Sequence, residues 1–143
     1  MKDIYLDSDV ILDVILDVSG IRESTFLDSI KVFNLMEKGE ISCHTSTLVI
    51  ANIYYHLKKF FGHQLAINFI TDLLTQIDLL NTSKENVAKA LHSDFRDFED
   101  AIQYFCALEN DIDCIITRNK KDFSKSSIPV YTPTEFLNTF LNP

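Results

Sequence analysis

Glycine is scarce in this chain. Its 143 residues include only Gly20, Gly39 and Gly62, no two of them close together. Loops that cradle phosphate with clustered glycines are therefore excluded, and with them P-loop NTPases and glycine-fingerprint dinucleotide folds. Tryptophan is absent, and the three cysteines, Cys43, Cys106 and Cys114, form no close pair. Set in apolar surroundings, they read as reduced thiols packed as small core residues, the usage expected of a cytoplasmic protein. His44, His56, His63 and His92 lack the i, i+4 spacing of a helical zinc pair, and no cysteine cluster completes a tetrahedral site, so zinc is not expected. Long hydrophobic runs are missing too. The longest are four or five residues, and Asp3 interrupts the start of the chain, so neither a membrane span nor a signal peptide is expected. Basic charge is the last shortage: 13 Lys and Arg face 21 Asp and Glu, for a net charge of -8. That balance argues against a broad basic face for nucleic acid, but not against a local basic patch or phosphate held through metal ions.

What is present suits a packed domain. Hydrophobic residues make up 46% of the chain and charged residues 24%, and a chain of this length buries roughly 70% of its unfolded surface without disulfides or structural metal. Residues 1–143 read as one domain with no linker or repeat. Ile4 to Leu6 is a short buried strand ending at Asp7, and Val10 to Leu16 a helix capped by Ser8 or Asp9. After a loop around Gly20, the spacing of Phe26, Ile30, Phe33 and Met36 predicts a helix ended by Gly39. Ile41 to His44 follows as a strand, then a helix capped within Thr45 to Thr47, carrying Leu48, Ala51, Tyr55 and Lys59 and closed by Gly62. Leu65, Phe69, Leu73 and Leu74 mark another helix, Ile77 to Leu80 a third strand, and Ser83 opens a helix with Val87, Ala90 and Leu91 inward. Ala101, Ile102, Phe105 and Leu108 form one stripe of a helix over Asp97 to Glu109. Cys114 to Thr117 is a buried strand, Val130 and Tyr131 an edge strand, and Pro133 starts a last helix through Phe140. Short apolar strands alternating with helices predict an α/β three-layer sandwich, a central parallel sheet of four to five short strands flanked by helices.

In such sheets ligands gather beyond the carboxyl ends of the strands, where strand order reverses. Asp7, Asp97, Asp100 and Asp122 are placed to reach that rim. Asp97 and Asp100 lie at i and i+3 and share a helix face with Tyr104 at i+7. Close carboxylates repel unless a cation neutralises them, and oxygen ligands without His or Cys suit Mg²⁺ or Mn²⁺. Each acid taken singly also fits a helix cap, as do Asp9 and the Asn119 to Asp122 spacing. Asp13 and Asp17 read as a solvated helix face, Glu99 as pointing away from Asp97, and Tyr104 as packing at the core edge. Arg118, Lys120, Lys121 and Lys125 form the one dense basic stretch, either a grip for backbone phosphates or a solvated loop.

The run Leu6-Asp7-Ser8-Asp9-Val10-Ile11-Leu12-Asp13 resembles the opening of a PIN domain, usually Leu-Asp-Thr-Asn-Val-Leu-Leu-Asp. Asp97-Phe98-Glu99-Asp100-Ala101-Ile102-Gln103 resembles that family's third acidic segment. Thr117-Arg118-Asn119-Lys120-Lys121-Asp122-Phe123 is similar to its strand-and-acid segment. The resemblance covers nearly the whole chain and implies a metal-dependent ribonuclease fold, often the toxin of a toxin-antitoxin pair, hydrolysing RNA with Mg²⁺ or Mn²⁺. By position it implies Asp7 as first ligand, Asp100 as third acid, and Asp122 or Asn119 in the fourth place. Thr117 falls within the same segment as a supporting residue. One position departs: Asn52 stands where the family carries a glutamate. An asparagine can coordinate through its carbonyl but brings no charge, leaving Asp97 or Asp9 as candidate compensating ligands.

Three functions compete at this point. The first is a ribonuclease with an RNA substrate, an antitoxin protein as partner and a homodimer in solution. The second is a PIN-like fold with weakened catalysis that binds nucleic acid or protein. The third, a phosphoacceptor receiver, is disfavoured because the central strands end in His44 and Asn81 rather than in an acceptor Asp. Ile53, Tyr54, Tyr55, Phe60 and Phe61 place more apolar surface on one helix than one buried face needs, the expectation behind the dimer.

Overall fold

The computed structural model describes residues 2–18 and 27–142, without the side chains of 17 and 18. Expectations for the Gly20 loop, Phe26 and the side chain of Asp17 lie outside the described residues. The elements are β1 (Asp3–Leu6), α1 (Ser8–Val18), α2 (Leu27–Glu37), β2 (Ser42–Ser46), α3 (Thr47–Leu74), β3 (Asp78–Leu80), α4 (Lys84–Leu91), α5 (Phe98–Glu109), β4 (Cys114–Ile116), a 3₁₀ turn (Lys120–Phe123), β5 (Val130–Tyr131) and α6 (Pro133–Leu141). All pairings in the five-stranded sheet are parallel, in the order β3-β2-β1-β4-β5. The alternating α/β sandwich read from the sequence is therefore the observed architecture.

Strand order decides where the site falls. The chain moves outward from β1 through β2 and β3, then returns to place β4 on the other side of β1. The reversal thus lies between β1 and β4, with Asp7 and Thr117 just beyond their ends. Both strands are central and covered on two faces, so Ile4, Tyr5, Leu6, Cys114, Ile115 and Ile116 are all fully buried. α1 packs on α2 and α3, and α2 on α6, while α4 and α5 pack against each other. Asp3, Tyr5 and Asp7 alternate to one face of β1, and Tyr5 meets α5 there through Gln103.

Differences from the sequence reading concern register within elements. β2 runs Ser42–Ser46 rather than Ile41–His44, because pairing with β1 and β3 sets its extent: Asp3 is opposite Ser42, and Ser46 is opposite Leu80. α3 follows directly, its first turn capped by the Ser46 hydroxyl accepting from the Val49 amide at 3.4 Å. That start aims Val49, Ile53 and Leu57 into the main core, turns Leu48 toward the smaller cluster of Ala90, Ala101 and Ile102, and leaves Ala51 and Tyr55 exposed. Leu48, Ala51 and Tyr55 have helical spacing too, and apolar residues lie all round this helix, so periodicity does not choose between the two sets. Ile53 is accordingly core rather than surface. Gly62 breaks α3 with φ +79° and ψ 174°, a conformation open to glycine. Beyond it Ala66 and Leu73 point inward while Leu65 and Leu74 are exposed. In α4, Leu91 is exposed and Asn86 is buried instead. The amide of Asn86 answers the Ser83 cap in a reciprocal pair of hydrogen bonds of 2.9 and 3.1 Å.

Candidate active site

Asp7 is placed by the end of β1, where the Thr45 hydroxyl donates to the Leu6 carbonyl at 2.9 Å. One carboxylate oxygen of Asp7 accepts from the Ser8 amide at 2.7 Å and the other from the Thr117 hydroxyl at 2.8 Å. Burial nevertheless raises its pKa, against these hydrogen bonds and one from Gln103. Gln103 is itself buried, and the Tyr5 hydroxyl lies 2.9 Å from the Ser46 hydroxyl and 3.2 Å from Gln103 Oε1, with one proton to give between them. A closed polar network thus ties together β1, the start of α3 and α5 beneath the rim.

Asp9 does not serve as a simple cap. Its Oδ2 accepts from the Arg118 amide at 3.0 Å and from Asn119 Nδ2 at 3.1 Å, stitching α1 to the segment after β4. The Thr117 hydroxyl lies 3.4 Å from the same oxygen and 2.8 Å from Asp7, and its single proton favours the nearer acid. The other oxygen, Asp9 Oδ1, is buried without a hydrogen-bond partner. Burial and the charge of Asp7 raise the Asp9 carboxyl to about 6.

Asp100 is half-buried on the first turn of α5. Burial, then the charges of Asp97, Asp7, Asp122 and Glu99, push it up to about 7. Asp97 is the helix cap, accepting from the Asp100 amide at 3.0 Å. Asn52 sits across from this turn and donates to Glu99 at 3.3 Å. Glu99, expected to point away from Asp97, is thus turned toward Asn52 on α3. Asn119 forms no side-chain cap for the turn leading to Asp122; its amide serves Asp9 instead.

Asp94, Phe95, Arg96, Asp97 and Asp100 form one wall of a cleft of about 480 Å³, and Lys121, Asp122, Ser124 and Lys125 complete its lining. Of the four basic residues singled out in the sequence, Lys121 and Lys125 reach this cleft. Lys120 pairs with Glu135 at 2.8 Å, and Arg118 Nε meets Asp13 at 3.0 Å. Asp13 corrects the expectation of a solvated face: it is fully buried and also accepts from Ser29 at 3.1 Å. Tyr104 packs at the core edge as expected, its hydroxyl 2.8 Å from Ser127. Phe95 and Arg96 were not singled out from sequence. Nor was Gln103, which lies off the stripe of Ala101, Ile102, Phe105 and Leu108, so helical spacing gave no sign of its burial.

The donor set of the rim is all oxygen and its carboxyls carry raised pKa values, which suits a hard divalent cation. Among the described residues, however, no group of three or more His, Cys, Asp or Glu side chains converges closely enough to hold a metal ion. The charge fits such an ion and the spacing does not close a cage around one.

A parallel sheet with acids at the strand-order reversal and a mixed-charge cleft beside them defines an α/β domain with its candidate site at the switch point. The chain belongs to the PIN-domain family, whose model matches residues 3–121. It is 25% identical over 138 residues to Ribonuclease VapC1 of Aquifex aeolicus, covering 93% of this chain and 92% of that protein. Its fold is similar to a toxin-antitoxin complex from Klebsiella pneumoniae, with TM-score 0.65, 21% identity and 90% and 96% of the two chains covered. It is also similar to DNA-bound VapBC from Salmonella typhimurium, with TM-score 0.66, 12% identity and 93% and 99% covered. Among the described residues no helix is long and apolar enough to cross a membrane.

Proposed function

We propose that this chain is a toxin-type PIN domain of the cytoplasm that binds RNA in the cleft beside Asp100, with a weakened hydrolytic centre. The observation that carries this reading is Asn52, hydrogen-bonded to Glu99 in place of a ligating acid, in a rim whose ligands do not close around an ion. The side chains of Arg96, Lys121 and Lys125 line the cleft without an ion pair among the described residues. In a chain so short of cations, that placement supports phosphate binding. The toxin-antitoxin complexes that share the fold support an antitoxin protein as partner. Tyr55 and Phe60, exposed on α3, support a homodimer through that helix.

The second reading, an efficient Mg²⁺- or Mn²⁺-dependent endoribonuclease, is favoured by one observation. Asp9 and Asp100 are held at about 6 and about 7, the state of a carboxylate cluster that a cation would relieve. Asp7, Asp100 and Asp122, with Asp97 beside them and Asn52, Asn119 and Thr117 in support, are the residues that would hold the ion. Bound there, it would supply an acidified water and stabilise charge on the phosphoryl oxygens.

The test compares binding with cleavage. Labelled RNA is expected to bind in chelator and to be cut slowly with Mn²⁺, and Asp100→Asn should abolish cutting while keeping the fold. Rapid metal-dependent cleavage, lost in both Asp7→Asn and Asp100→Asn, would establish the second reading instead. Cleavage equal in all three proteins would mark a contaminating nuclease.

A further inference from the structure

The cleft lining mixes two chemistries: beside its acids, Phe95 and Arg96 come from the loop between α4 and α5. Phe95 is half-buried. Its ring stacks on Tyr104, with centroids 5.0 Å apart and planes at 28°, and Phe105 and Phe123 approach it at 6.4 and 6.5 Å. Tyr104 is itself fixed by its hydrogen bond to Ser127. The loop is pinned by Ser93, whose hydroxyl donates to the Ala90 carbonyl at 2.8 Å and accepts from the Phe95 amide at 3.4 Å. What remains uncovered of this rigid ring lines the cleft, flanked by Arg96 and facing Lys121 and Lys125.

A packed aromatic beside cations that have no ion pair among the described residues is the arrangement that receives an unstacked base and its phosphates. The acids argue for one strand rather than two. A duplex keeps its bases stacked inside and brings a second row of phosphates against Asp94 and Asp97, whereas a single strand can turn its phosphates toward the cationic side. We propose that Phe95 and Arg96 form a nucleotide subsite for single-stranded RNA, Phe95 stacking one base while Arg96, Lys121 and Lys125 hold the flanking phosphates. This rests on the RNA-binding reading above and assigns the cleft a substrate class.

The test is fluorescence anisotropy with a labelled single-stranded hexaribonucleotide in chelator, so that cleavage plays no part. Phe95→Leu keeps apolar bulk and removes the π face; it should weaken binding roughly ten-fold, while Phe95→Tyr binds as the wild type does. Arg96→Gln should weaken binding and reduce the slope of log affinity against log salt by about 0.7, one phosphate contact on a single strand. An oligomer with abasic riboses should bind the wild type as weakly as the intact oligomer binds Phe95→Leu. That arm needs no variant and decides the matter if Phe95→Leu fails to fold. Equal binding of the abasic and intact oligomers, or of duplex and single strand, would overturn the subsite while leaving RNA binding intact. A wild type that binds no RNA would overturn both, and one that binds through Phe95 but never cleaves would leave the subsite standing without hydrolysis.

Discussion

Asp9 and Asp13 stand one turn apart on α1 and both reach the segment that follows β4, yet their surroundings are opposite. Asp13 is fully buried and compensated, with the Arg118 guanidinium at 3.0 Å and the Ser29 hydroxyl at 3.1 Å. Asp9 receives neutral donors on one oxygen and none on the other, and burial beside Asp7 raises its pKa to about 6. The first carboxylate fastens α1 and α2 to the loop bearing Thr117 and Asn119. The second is left under-compensated at the mouth of the site. A buried charge with its counter-ion in place is architecture, and one without is a candidate for binding a cation. The same contrast spans α5, where Lys89 and Asn86 hold the Glu109 carboxyl below its usual range while Asp100 at the other end is pushed to about 7.

The largest effect should come from breaking the compensated pair. Arg118 has a side chain 35% exposed, whereas that of Asp13 is 0% exposed, so removing the arginine strands a charge that water cannot reach. Arg118→Ala should cost about 3–5 kcal/mol in urea denaturation, and Asp9→Ala about 1 kcal/mol or less, because an unpartnered oxygen leaves with the hydrogen bonds. Equal losses would dissolve the distinction between the two aspartates. Gln103→Leu ranks next. It removes one of the two partners of the Tyr5 hydroxyl, leaving Ser46, and withdraws an amide from Asp7, for about 1–3 kcal/mol in the same denaturation experiment.

A smaller effect sharpens the contrast through pH. With Asp100 at about 7 in the fold against an ordinary 3.8, the folded state keeps a proton that the unfolded chain releases between about pH 4 and pH 7. Stability contributed by this group therefore falls as pH rises through that window and is level above it. Asp100→Asn should flatten the decline and melt a few degrees higher than the wild type at pH 8. Adding Mn²⁺ should raise the wild type's melting temperature more than the variant's. A variant that keeps the wild-type pH profile would show that Asp100 is not strained.

How much of this could be read from the chain follows from what each residue depends on. Strand and helix order, and the place of Asp7 at the end of β1, rest on local apolar runs and turn residues, and these survive folding unchanged. The inward face of α3 depends on where β2 ends, which is set by pairing with strands distant in sequence, so spacing alone did not single out Val49, Ile53 and Leu57. Asp13 read as solvated because its counter-ion lies 105 positions away, at Arg118. The contact of Glu99 with Asn52 was not legible, because a helical wheel places Glu99 relative to Asp97 and says nothing of another helix. The acids of the rim were legible as types and positions. Their spacing, too wide among the described residues to close around an ion, was not.

The smallest effect concerns Asn52→Glu, and its value lies in its sign. The new carboxylate would stand beside Glu99, which now accepts from the Asn52 amide at 3.3 Å. Two like charges about 4 Å apart near a protein surface repel by roughly 1 kcal/mol or more, so the metal-free variant should melt below the wild type, and Glu99→Gln in the variant should restore it. With Mn²⁺ the sign reverses, because a further negative ligand strengthens attraction for the cation more than it repels its neighbours. The variant should gain more melting temperature from the ion than the wild type does, and more cleavage of RNA. If it melts with the wild type in both conditions, Asn52 lies off the site and its acidic neighbours have no missing ligand to replace. If it loses stability without metal but gains nothing with it, Glu99 and Asn52 are a surface pair, and the weakness of the centre lies in the spacing of Asp7, Asp100 and Asp122 instead.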